Sequence, residues 1–289
     1  MLGMFPLKTI SIAALVALTT TGAASAGDNG QLGHTAKGPE NPLRASETWE
    51  ILRSDVTDAE TFLDGNELFY FQAPKAAYDP AYVPFTIRQK RGTGERVTHL
   101  TIVVDENPAP MAAAFEFGPL IGDLYLDSRV RYDTPSNIRA IAKTDKGNTY
   151  MVGRFVNAAG GCAAGAPKDP VAALKGVGKM KLRQFKARGS TGGTSGTVRQ
   201  AQLKIRHPNF TGMQTNADGS PPIEARFVDM IEVRLGDELL FRMTGGFSIS
   251  EDPSFRFTFI DNGAQAITVH ATDTTGAVFK QVLPLAPGA

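Results

Sequence analysis

Arg96-Val97-Thr98-His99-Leu100-Thr101-Ile102-Val103-Val104 is the stretch on which the fold turns. Val97, His99, Thr101 and Val103 alternate with Thr98, Leu100, Ile102 and Val104, and a repeat of two puts the sets on opposite faces of an extended strand. Arg91-Gly92-Thr93-Gly94 precedes it as a hairpin turn, and Asp105-Glu106-Asn107-Pro108-Ala109-Pro110 closes it. Upstream, Phe69 and Phe71 alternate with Tyr70 and Gln72, while residues 83–88 read as an edge-type strand because Pro84 has no N–H for a ladder. Downstream, short strands are expected at residues 112–117, 127–132, 138–143 and 149–156, with Asp145-Lys146-Gly147-Asn148 turning between the last two.

The pattern resumes at residues 198–206, 227–235, 238–243, 254–259 and 266–271. Leu235-Gly236-Asp237 and Asp261-Asn262-Gly263 read as hairpin turns, and Phe255, Phe257 and Phe259 share one face as core. Helical periodicity is confined to two places. Ser46 is an N-cap for a helix bearing Trp49, Leu52 and Val56 on one face. Asp169 and Pro170 open a second, short helix through Val171, Leu174, Val177 or Gly178, and Leu182, ending near Phe185; Lys175, Lys179, Lys181, Arg183, Lys186 and Arg188 make the stretch basic, which reads as a solvated helix face ahead of an attraction for an acidic partner. The expected fold is all-β: two antiparallel sandwich domains, residues 45–167 and 198–289, joined through residues 168–197 by the short helix and the linker Gly189-Ser190-Thr191-Gly192-Gly193-Thr194-Ser195-Gly196.

At 289 residues, 42% of them apolar, the chain can build a core in each domain. Lys8, the apolar run that follows it and the small residues ending Ala24-Ser25-Ala26 match the three regions of a secretory signal over residues 1–26, too short in its apolar part to span a bilayer. Residues 27–44 are a Gly- and Pro-containing leader. A soluble exported protein, in a bacterial periplasm, is expected. Without Lys8 the basic and acidic residues are equal in number, so no field for nucleic acid or anionic membrane is expected.

Export gives weight to Asn157-Ala158-Ala159-Gly160-Gly161-Cys162-Ala163-Ala164-Gly165-Ala166-Pro167, which carries the single cysteine of the chain. In an oxidising compartment an unpaired cysteine is either buried and inert or put to use. No large apolar residue lies within five positions of Cys162, so the stretch reads as a mobile loop that presents a used thiol outward. The flanks Gly160, Gly161, Ala163, Ala164 and Gly165 give that loop its freedom. Arg154 and Lys168 are the cations nearest in sequence to the thiol. An exposed lone thiol also predicts a reducible disulfide dimer in vitro.

Two sets of motifs carry a resemblance. Val83-Pro84-Phe85, Val103-Val104-Asp105-Glu106-Asn107-Pro108-Ala109-Pro110, Ser128-Arg129-Val130-Arg131 and Gly160-Gly161-Cys162 resemble the SoxY half of the SoxYZ sulfur-compound carrier of thiosulfate oxidation. Gln202-Leu203-Lys204-Ile205-Arg206-His207-Pro208, Gly212-Met213, Gly245-Gly246-Phe247-Ser248-Ile249-Ser250-Glu251-Asp252-Pro253 and Phe255-Arg256-Phe257 resemble SoxZ. The order suggests a single-chain fusion, similar to the carriers associated with quinoprotein dehydrogenases. The resemblance implies two immunoglobulin-like sandwiches packed together, no cofactor, no autonomous catalysis, and a sulfur-containing cargo held covalently on Cys162 for partner oxidoreductases of the Sox or quinoprotein dehydrogenase type. Family carriers end in this motif with two further glycines; here Ala163 and Ala164 replace them and the chain continues, so a protruding loop needs a wider partner channel.

Other motifs carry less. His34, His99, His207 and His270 are scattered without zinc spacing, and His207 with Met213 is a sparse basis for copper. Asn209-Phe210-Thr211 fits a glycosylation acceptor but reads as a turn after Pro208. A cysteine hydrolase needs a preorganised histidine beside the thiol, which a small-residue loop does not supply. Besides the covalent carrier, the alternatives are a non-covalent adaptor for a quinoprotein dehydrogenase and a sulfurtransferase.

Overall fold

The computed structural model describes residues 39–164, 167, 169–185, 197–215 and 221–286. The residues read as an export signal, most of those read as a leader, Gly165, Lys168 and the Gly/Ser/Thr stretch read as a linker lie outside the described residues. Helix α1 (Glu47–Val56) starts where its sequence says it should: Ser46 Oγ accepts from Trp49 N at 3.1 Å, and Trp49 is buried. Trp49 packs with Val103 and Ile141 on the outer face of a sheet. Beside it the buried Arg139 makes a two-pronged bond to Asp105, both contacts 2.8 Å, while its guanidinium lies 4.5 Å from the Trp49 ring centroid.

The first half of the chain contributes β1 (Leu63–Asp64), the single turn α2 (Gly65–Leu68), β2 (Phe69–Gln72), β3 (Val83–Gln89), β4 (Val97–Val104), β5 (Met111–Phe117), β6 (Tyr125–Val130), β7 (Ser136–Thr144) and β8 (Thr149–Val156). The second contributes the short α3 (Pro170–Ala173), β9 (Met180–Phe185), β10 (Val198–Ile205), β11 (Val228–Leu235), β12 (Glu238–Gly245), β13 (Ser254–Ile260), β14 (Ala266–Asp273) and β15 (Val278–Pro284). Among the described residues these strands form two sheets, in the orders β1-β8-β7-β4-β5-β12-β11-β14-β15 and β2-β3-β6-β13-β10-β9. Pairing is antiparallel apart from β1 with β8.

Both sheets run from one half of the chain into the other. β5 pairs with β12 in one and β6 with β13 in the other, so the two immunoglobulin-like halves join edge to edge. The core follows the sheets across the seam: Phe115 of the first half lies 6.1 Å from Phe241 and 6.0 Å from Phe255 of the second, ring centroid to ring centroid. Phe255, Phe257 and Phe259 all point into this layer, as their spacing predicts. Pairing edges removes strand ends that would otherwise be open to foreign strands.

Four expectations need correction. β3 is flanked on both sides, but β2 reaches only Thr86–Gln89, so Pro84 sits where β3 has a neighbour on one side only, a position that tolerates a residue without an N–H. A register shift between Val97 and His99 breaks the alternation of β4, so Val97 joins Leu100, Ile102 and Val104 in the core. The turns at 91–94 and 261–263 cross between the sheets instead of closing hairpins. Finally, the second helix ends at Ala173. Gly176 and Gly178 take φ of +78° and +80°, and residues 180–185 form edge strand β9 along β10, with Lys181 and Arg183 on its exposed side.

Candidate functional site: the docked Cys162 loop

Strand β8 delivers the chain to the site. Asn157 is held by a parallel bridge to Ala76, its N–H donating to Lys75 O at 2.9 Å and its carbonyl accepting from Ala77 N at 3.2 Å. From there the backbone is clamped residue by residue. Gly160 N donates to Asp133 O at 2.8 Å, and Gly161 N to Tyr132 O at 2.7 Å. Gly161 O accepts from Arg131 Nη1 at 3.2 Å, and Cys162 O accepts from Thr211 Oγ1 at 2.7 Å. Gly161 is there for close approach, since a Cβ on it would lie 2.1 Å from Pro80 O, whereas Gly160, with φ of +84° and nothing within 4 Å of an added Cβ, serves the backbone turn.

The thiol is therefore not presented to solvent. Cys162 is 0% exposed, and Gly161 is buried with it, while Gly160 and Ala163 are exposed and Ala164 is half-buried. The expectation of an outward loop fails because it searched for a covering in sequence neighbours. The contacts on Gly160, Gly161 and Cys162 come from residues 80–81, 131–133 and 211, far along the chain.

Arg131 occupies the centre. Its side chain is 2% exposed, and besides Gly161 O it reaches two carbonyls of the second half, Pro208 O at 3.4 Å and Asn209 O at 3.3 Å, through Nη2. Its Nε has no partner, and no carboxylate of the described residues lies within 4.0 Å of the guanidinium. Of the two cations nearest in sequence, Arg154 packs over Phe71 and bonds Gly153 O, while Lys168 lies outside the described residues.

Around this centre the two halves interlock. Arg131 N donates to Ser248 O at 2.7 Å, and Asn107 Nδ2 bridges Arg131 O and Ser248 Oγ at 2.8 and 3.0 Å. Ser250 Oγ donates to Ala81 O at 2.7 Å, and the Tyr82 hydroxyl bonds Glu251. Burial, then that carboxylate, raises the Tyr82 hydroxyl well above its ordinary range. Segments 103–110, 128–131, 160–162, 202–208 and 245–253, separate in sequence, thus have residues meeting at one place. Tyr82 gave no sequence signal, and Thr211 stood out only as the end of the Asn209-Phe210-Thr211 turn, since a single hydroxyl in a loop has no periodicity that ties it to a distant cysteine.

The segment that supplies Thr211 is itself braced. His207 Nε2 pairs with Asp273 Oδ2 at 3.3 Å, and its Nδ1 accepts from Asn209 N at 3.0 Å, so both ring nitrogens are engaged. Burial lowers the His207 pKa against the pull of Asp273. Burial pushes Asp273 up, but hydrogen bonds from Thr275, Arg226 and His207 outweigh it and hold the carboxyl at about 2. Asn209, at φ +44°, donates to Ile249 O and Ser250 O and accepts from Val228 N; its side chain is buried as a structural turn residue.

Electrostatically the docked thiol is quiescent. Burial, then the Asp133 carboxylate, push Cys162 up to about 12, with Arg131 opposing. A free cysteine titrates near 8.5, so the docked form favours the neutral thiol and the thiolate favours release. The sign follows: docking is at full strength below the released pKa and weakens as pH rises toward about 12. The alkylation rate at Cys162 should therefore keep rising about tenfold per pH unit beyond pH ~9, where an exposed thiol levels off. Stopped-flow alkylation from pH 7 to 11 checks this, and a plateau near 8.5 would contradict a docked resting thiol.

Comparison with known proteins gives two family matches. The profile of Sulfur oxidation protein SoxY matches residues 53–162, and that of Sulphur oxidation protein SoxZ matches residues 188–284. Together they cover more than two thirds of the chain, and the first ends on the cysteine itself. A solved structure, the sulfur carrier protein SoxY from Chlorobium limicola f thiosulfatophilum, is 20% identical with a TM-score of 0.31, over 37% of this chain and 88% of that one. No curated protein matches the chain.

Proposed function

Since the chain belongs to the SoxY and SoxZ families, one domain of each in tandem, we propose that it is a periplasmic carrier that holds a sulfur-containing intermediate covalently on Cys162 for partner oxidoreductases. The observation that carries this reading is the end of the SoxY match on Cys162, in a loop docked at the seam of the two halves by hydrogen bonds to its backbone. Bonds to the backbone leave the sulfur itself unused. The periplasm rests on the export signal read at residues 1–26, and Sox-type or quinoprotein dehydrogenase partners rest on the family motifs.

The carrier works in two states. Docked, the thiol is neutral, shielded from oxidants and inert. Released, it ionises near its ordinary pKa, and its sulfur forms the bond to the cargo. Joining a thiol to a reduced sulfur compound through an S–S bond removes two electrons along with the thiol proton. The partner oxidoreductase takes the electrons, and solvent takes the proton.

The burial of Cys162 favours a second reading, a non-covalent adaptor in which the cysteine merely fills space. Intact mass of protein isolated from its native compartment without reductant, with fragmentation, separates the two. A reducible addition confined to residue 162 and absent from Cys162→Ser is expected of the carrier. An unmodified thiol, with Cys162→Ser supporting sulfur oxidation in cells as well as the parent chain, is expected of the adaptor.

A further inference from the structure

Thr211 belongs to the second half, yet it makes the hydrogen bond on Cys162 itself. Its Oγ1 donates to Cys162 O at 2.7 Å and accepts from Met213 N at 3.1 Å. With its lone pair engaged by Met213 N–H, the hydroxyl proton is free to point at the cysteine carbonyl. Thr211 is buried, and its own N–H donates to Gln214 Oε1 at 3.1 Å. The segment cannot easily follow the loop outward: Phe210 pairs with Arg226, Asn209 is bonded on both sides of its amide, and His207 N donates to Asp252 Oδ1 at 3.0 Å. A braced donor thus meets a loop otherwise held by residues 131–133 of its own half.

We infer that Thr211 is the positioning residue of the thiol, the latch by which the second half keeps Cys162 docked. Its hydroxyl decides how often the loop opens and so how often the sulfur is available to a partner. This gives the SoxZ-type half a direct task at the reactive residue, beyond completing the sheets. Its use in carriage rests on the carrier reading above, but the latch is measurable without any cargo.

The test compares the full chain with Thr211→Val, which keeps the shape and removes the hydroxyl, and Thr211→Ser, which keeps the hydroxyl. Alkylation of the folded protein at pH 7.5 should be about tenfold faster in Thr211→Val, since the docked state loses a bond and strands the Cys162 carbonyl and the Met213 N–H. Thr211→Ser should stay within about twofold of the parent, a rescue that mere packing would not produce. Hydrogen exchange on the parent chain provides a measurement that needs no variant. The Gly160 and Gly161 amides should exchange through the same opening that admits the alkylating reagent, with matching equilibrium constants. Parent-like alkylation in Thr211→Val, serine and valine variants alike in rate, or a thiol that reacts while those amides stay protected would each overturn the latch. An absent adduct on natively isolated protein would sink the carrier reading and leave the latch result standing.

Discussion

Arg131→Met should lower the unfolding free energy by ~3 kcal/mol and the melting temperature by about 6–12 °C, and should unseal the thiol at the same time. The guanidinium joins three backbone carbonyls, Gly161 O from the carrier loop and Pro208 O and Asn209 O from the second half. Methionine fills the stem but offers no donor, so three buried acceptors lose theirs, at roughly 1–3 kcal/mol for each that stays dry. An opposing effect has to be weighed. Burying an unpaired cation is costly, and burial lowers the Arg131 pKa, partly countered by Glu251, Cys162, Tyr82 and Asp79. Removing the charge recovers some of that cost, which is why the net loss is set near the value for one or two orphaned groups. Arg131→Lys tests the geometry: a single ammonium keeps the charge but cannot fork across both halves, so it should fall between methionine and the parent. Chemical denaturation with alkylation on the same samples reads both effects. An Arg131→Met protein as stable and as slow to alkylate as the parent would show that the fork holds nothing together.

The strands were legible in the sequence because alternation is a local property. Residues 99–104 and 254–259 show their faces without reference to anything distant, and the capping of α1 by Ser46 needs only three residues. What was not legible depends on partners far along the chain. The register shift at Val97 is set by pairing with β7, and the strand character of residues 180–185 by pairing with β10; a stretch interrupted by Gly176 and Gly178 but rich in Lys and Leu reads as helix until that neighbour is known. Cys162 is the sharpest case. Glycine and alanine around a thiol signify either freedom or intimate packing, and sequence neighbours do not distinguish them. Here Pro80 stands against Gly161 so closely that only a hydrogen fits, and smallness means contact.

Gly161→Ala should therefore raise the alkylation rate of Cys162 in the folded protein by two to three orders of magnitude, on the order of 100- to 1,000-fold. The added Cβ would meet Pro80 O at 2.1 Å, Pro80 C at 2.4 Å and Ala81 N at 2.8 Å, all backbone atoms. No side chain can swing aside to relieve that, and the Pro80 carbonyl is itself held by Tyr132 N at 2.8 Å. The loop thus has one way out, which is to undock. Doing so gives up the bonds to Asp133 O, Tyr132 O, Arg131 and Thr211, four contacts worth about 1 kcal/mol each, and this sum limits both the protection in the parent chain and the acceleration in the variant. The same limit separates this substitution from Arg131→Met in global stability: once the loop has left, the clash is gone, and the sheets beneath keep their pairing. Gly160→Ala is the internal control. Its Cβ meets open space, but φ of +84° strains an L-residue by roughly 1–2 kcal/mol, so its alkylation should rise only about tenfold. If alanine at 161 left the thiol as protected as in the parent chain while alanine at 160 exposed it, the loop would be held by its backbone conformation and not by its fit against Pro80. The docked geometry would then be the wrong basis for the carrier's resting state.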